Sequence, residues 1–86
     1  MQPVLKIENN TGQTLGIYLN NSSSKRADVA AGEIITINHL PNADNMTIEA
    51  KDSQGTTYLS VSYTRSELRK LDYKVVIPEA AAPLPY

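Results

Sequence analysis

Residues 46–63, Met46-Thr47-Ile48-Glu49-Ala50-Lys51-Asp52-Ser53-Gln54-Gly55-Thr56-Thr57-Tyr58-Leu59-Ser60-Val61-Ser62-Tyr63, carry the clearest pattern in the chain. Met46, Ile48 and Ala50 alternate with Thr47, Glu49 and Lys51; after the turn, Leu59, Val61 and Tyr63 alternate with Ser60 and Ser62. A period of two sorts each set onto opposite faces of a pleated strand. Asp52-Ser53-Gln54-Gly55 between them has the chemistry of a tight turn, so the two strands form an antiparallel hairpin. Ile48 and Val61 are predicted to be buried mid-strand, with Tyr58, Ser60 and Ser62 facing solvent.

The same alternation extends in both directions. Leu5 and Ile7 form one strand, and Leu15, Ile17 and Leu19 a second; Asn9-Asn10-Thr11-Gly12-Gln13 between them predicts a tight turn or bulged hairpin. Ala27-Asp28-Val29 is expected to hairpin with Ile34-Ile35-Thr36-Ile37-Asn38 through a turn in which Gly32 takes the left-handed conformation. The polar stretch from Asn20 to Arg26 reads as an exposed loop, and Pro41 ends any ladder before it. After the hairpin, Thr64-Arg65-Ser66-Glu67 matches a capping box and predicts a short helix with Leu68 and Leu71 turned to the sheets. Tyr73-Lys74-Val75-Val76-Ile77 is the last strand, stopped by Pro78.

About seven short strands with regular turn signals indicate an all-β fold, a small antiparallel β-sandwich of immunoglobulin-like or transthyretin-like layout, with one short helix between the last two strands. An open barrel is the alternative. Residues 1–78 make the sandwich domain, and 79–86 form an Ala/Pro-rich C-terminal arm. A chain of 86 residues has room for one domain and little for a deep cleft, and with no cysteine its core rests on packing alone.

Charge narrows the partners. Eight Lys and Arg against nine Asp and Glu are dispersed, and the basic pairs Lys25-Arg26 and Arg69-Lys70 are closely followed by Asp28 and Asp72. That distribution argues against a phosphate backbone as partner. No apolar run reaches the roughly 20 residues of a membrane span, and the first residues lack the basic and apolar regions of a signal peptide. The sequence leaves the compartment open.

Chemistry is sparse. His39 is the only histidine, so a Ser-His-Asp triad or a zinc site would have to be built around it. Asn42, Asp44 and Asn45 share a loop with oxygen donors, but their spacing is not that of an EF-hand and such residues favour turns for backbone reasons. Neither a catalytic residue nor a cofactor or metal is assigned. Asn-x-Ser/Thr occurs at Asn9, Asn20, Asn21 and Asn45, a pattern that asparagine-rich turns generate by chance. The residues with a predicted role in partner binding are Leu84, Pro85 and Tyr86 in the proline-stiffened arm, and Tyr18 and Tyr58 on a polar sheet face. The expectation is a non-enzymatic protein-interaction or structural module, acting through its loops and arm on another protein or on copies of itself. A small ligand-binding or catalytic domain around His39 and the Asn42–Asn45 loop is the alternative.

Overall fold

The computed structural model describes residues 4–20, 22–38, 40 and 44–82. The chain runs β1 (Leu5–Asn9), β2 (Leu15–Leu19), β3 (Ala27–Val29), β4 (Ile34–Ile37), β5 (Asn45–Lys51), β6 (Thr57–Thr64), α1 (Arg65–Lys70) and β7 (Lys74–Ile77). The strands form a three-stranded sheet ordered β4-β1-β7 and a four-stranded sheet ordered β3-β2-β5-β6. The fold is thus the expected all-β sandwich, with its one helix between the last two strands. The partition differs from the immunoglobulin one, in which the first, second, fourth and fifth strands share a sheet.

Between the sheets lies one hydrophobic cluster. Leu5 and Ile7 from β1, Leu15 and Ile17 from β2, Ile48 and Ala50 from β5, Val29 from β3 and Ile77 from β7 are all fully buried in it. Each comes from the inward set of its alternating strand, so the periodicity in the sequence and the burial agree.

The connections depart from the expected hairpins at two places. Asn9–Gln13 does not return the chain beside itself: β1 and β2 lie in opposite sheets. Asn9 is fully buried and fills the arch from within. Its Nδ2 donates to the carbonyls of Gln13 (2.7 Å) and Val29 (3.0 Å), and its Oδ1 accepts from the Thr11 amide (2.9 Å) and hydroxyl (2.6 Å). These side-chain bonds satisfy groups that a hairpin ladder would otherwise pair, which is how an arch becomes affordable. Likewise β3 pairs with β2 while β4 pairs with β1, so Ala30–Glu33 crosses between the sheets. Gly32 does take positive φ there (+76°), and its amide donates to the Asn9 carbonyl at 2.7 Å.

The β5–β6 hairpin forms as expected, with Ile48 opposite Val61 and Ala50 opposite Leu59. Asp52 Oδ1 accepts from the amides of Gln54 and Thr56, both at 2.9 Å, and Gly55 has φ of +82°. The capping box is also present: the Glu67 amide donates to Thr64 Oγ1 (3.2 Å) and the Thr64 amide to Glu67 Oε1 (2.9 Å). Leu68 is buried, but Leu71 is exposed, because the helix ends at Lys70 and Leu71 is its C-cap rather than part of its inward face. Asp72 and Tyr73 then adopt φ of +54° and +56°, and the reversal delivers β7 parallel to β1, the one pairing among the described residues that is not antiparallel. α1 lies in the connection that carries the chain from β6 in the larger sheet to β7 in the smaller one.

Candidate functional site

On the outer face of the four-stranded sheet, Gly16, Tyr18, Lys25, Asp28, Lys51 and Asp52 line a polar cleft of about 560 Å³. The strand register builds it: Gly16 lies opposite both Asp28 and Lys51, and Tyr18 opposite Glu49. The Lys25 stem crosses the Gly16 backbone, where a Cβ would sit 2.7 Å from Lys25 Cδ and push that exposed, flexible side chain aside. The Lys25 ammonium pairs with Asp28 at 3.0 Å, and that contact raises its pKa above the ordinary lysine value. Lys51 Nζ stands 4.9 Å from the centre of the Tyr18 ring, within cation–π range. The cleft's two ammonium groups are therefore already engaged by its own acid and its own ring.

Tyr58, the other tyrosine expected on this face, packs instead against the core cluster and is half-buried. The cause is a bulge. Leu59 opposes Ala50 and Thr57 opposes Lys51, so Tyr58 is an extra residue that resets the alternation. Leu84, Pro85, Tyr86, His39 and Asn42 lie outside the described residues. Asp44 and Asn45 are exposed. Among the described residues no cluster of three or more acids and histidines could hold a metal ion, and no helix is long and apolar enough to cross a membrane. Asn9, whose side chain is wholly occupied inside the fold, is inaccessible to glycan attachment, and Asn20 Oδ1 accepts from the Thr47 amide at 3.0 Å.

The outer face of the three-stranded sheet brings Ile34, Glu8 and Val76 into one row. Ile34 and Val76 are exposed, and Glu8 between them is held by Lys74 (3.2 Å) and by the Asn10 side chain (2.9 Å). The Asn10 hydrogen bond and then the Lys74 contact lower the Glu8 pKa.

A different kind of surface lies at the edge of the larger sheet. β6 is eight residues long and ends the strand order, so among the described residues its outer edge has no strand beside it. Thr57-Tyr58-Leu59-Ser60-Val61-Ser62-Tyr63-Thr64 contains no charge, no proline and no glycine. Its inward residues Leu59, Val61 and Tyr63 are only half-buried, whereas their cross-strand partners Ala50, Ile48 and Met46 are buried. The other edges are blunted as free edges usually are. β3 has three residues including Asp28, β4 has four, and β7 has four, beginning at Lys74 and followed by Pro78. Sequence reasoning did not single out the β6 edge, although the uncharged run from 57 to 64 was its readable signal.

No family model, curated protein or solved structure matches this chain.

Proposed function

We propose that this domain is a non-catalytic protein-interaction module whose binding element is the β6 edge. The observation that carries the reading is the half-burial of Leu59, Val61 and Tyr63 along an eight-residue, uncharged strand. An added strand would hydrogen-bond to the free backbone groups and cover those three side chains at once, which is the physics of β-strand addition. The sandwich supplies a stiff support, because β6 is held along its length by β5.

Ser60 and Ser62 are exposed and uninvolved in the core, so Ser60→Lys with Ser62→Lys should leave the fold intact while placing charge on the edge. Affinity capture from the native source, comparing the wild-type and doubly substituted chains as bait, tests the reading. Loss of the specifically bound proteins, or of added copies of the chain itself, is expected in the variant. Identical capture by both baits overturns it.

A further inference from the structure

We infer that the strand added at β6 is β6 of a second copy of this chain, antiparallel about a two-fold axis at Val61; this rests on the reading of β6 as the binding edge. Residues directly opposite each other in an antiparallel pair must share a face, so a symmetric β6–β6 pairing has to be centred on a residue and not between two. Three centres are available in the middle of the strand. Centring on Ser60 pushes the pairing into the bulge at Tyr58, and centring on Ser62 pairs Ser60 with Thr64, the helix cap, whose amide already donates to Glu67 Oε1. Centring on Val61 uses the regular stretch Leu59–Tyr63 and nothing else. Leu59 then opposes Tyr63 of the second copy, Val61 opposes Val61, and Ser60 opposes Ser62.

This register matches chemistry on both faces. The inward side gains two aliphatic–aromatic pairs and one Val–Val pair over side chains that are half-open in the single chain. The outward side gains hydroxyl–hydroxyl pairs. The uncharged strand also meets no repulsion in this register: a charge at position 61 would face its own copy, and like charges at 60 and 62 would face each other. The β3 and β7 edges of this molecule carry Asp28 and Lys74, and the uncharged β4 edge is only four residues long, half the length of β6. The result would be one continuous eight-stranded sheet from two four-stranded ones. Five paired residues span about 17 Å, at the small end of specific interfaces, so the dimer should be reversible and concentration-dependent.

The chain has no cysteine, which makes a single introduced one a clean reporter. Under mild oxidation Val61→Cys should give a disulfide-linked dimer, since directly opposed residues lie within disulfide reach. Ser60→Cys alone should not, while an equimolar mixture of Ser60→Cys and Ser62→Cys chains should. Sedimentation equilibrium of the unmodified chain should show its mass rising toward that of a dimer across micromolar to millimolar concentrations. Ser60→Lys with Ser62→Lys should weaken the association at least tenfold, and mixing that variant with a Ser60→Glu, Ser62→Glu chain should restore it. A chain that stays monomeric, or a dimer indifferent to these substitutions and not trapped by Val61→Cys, overturns the inference. If the monomeric chain still loses captured proteins on lysine substitution, β6 takes a foreign strand and the module reading stands; if capture is also unchanged, both fall.

Discussion

The two ends of the four-stranded sheet face the same solvent and are finished differently. At the β3 end the strand has three residues, Val29 is fully buried, and its carbonyl accepts from Asn9 of the facing sheet at 3.0 Å. At the β6 end the strand has eight residues and Val61 is half-buried, and α1 packs on β6. One end is stitched to the opposite layer by a buried amide. The other projects its apolar side chains toward a position that no described strand occupies. The contrast teaches that an edge is closed by shortness, charge and cross-layer bonding together, whereas β6 is long and uncharged.

The hardest way to break the closed end is Asn9→Ala. It removes a side chain that serves the Val29 and Gln13 carbonyls and the Thr11 amide and hydroxyl, and should cost about 3 kcal/mol in chemical denaturation by leaving buried polar groups unpaired. Asn9→Asp should be nearly as damaging, because it replaces the donor facing two carbonyls with an acceptor. A loss below about 1 kcal/mol for either would mean that the arch does not depend on this side chain.

A matched pair sharpens the comparison. Val29→Ala and Val61→Ala delete the same atoms from the two edge strands of one sheet. The fully buried Val29 should cost about 2–3 kcal/mol and the half-buried Val61 about 1 kcal/mol in dilute solution. Equal losses would show that Val61 is as enclosed as Val29. At high concentration the Val61 loss should grow if the second copy covers it, which the Val29 loss should not.

The smallest effects concern the helix that follows β6. Thr64→Ala should cost about 1 kcal/mol by removing the cap. Glu67 has its carboxyl pKa lowered, first by the hydrogen bond from the Thr64 backbone and then by the one with its side chain, and Glu8 is lowered in the same direction. A group whose pKa is lower in the folded than in the unfolded chain stabilises the fold above its unfolded pKa and loses that contribution as pH falls through the folded one. The melting temperature should therefore drop on acidification through and below the ordinary glutamate value, about 4.3. Glu67→Gln should flatten that drop modestly. A melting temperature that is level across this range would contradict the capping geometry.

Much of the fold was legible in the alternation. The inward sets at Leu5/Ile7, Leu15/Ile17/Leu19 and Met46/Ile48/Ala50 are all buried, and the turn at Asp52–Gly55 and the box at Thr64–Glu67 formed where local chemistry required. Other features were illegible for identifiable reasons. Turn residues at Asn9–Gln13 suit a hairpin and an arch equally, and only the burial of Asn9 between layers selects the arch. A period of two says that Val61 points inward, but its depth depends on β6 being last in the sheet. Tyr58 was displaced by one extra residue in the ladder, and Leu71 by a helix that ends one residue before it.

For the site the balance is less even. Tyr18 lies where alternation predicted, beside Lys51, yet the ring's partner depended on strand pairing. The uncharged composition of residues 57–64 was visible from the start, while the free edge that gives it meaning was not.

By itself, then, the sequence determined the spans of the strands to within a residue, which side chains turn inward except at the Tyr58 bulge, the hairpin at Gly55 and the capped helix, because these depend on contacts a few residues apart. The tertiary structure alone decided that β1 and β2 part into opposite sheets, that β7 returns parallel to β1, and that β6 is left at the edge. Strand order is set by which inward faces fill one shared core without voids, and that is a property of all the strands together and of no segment alone.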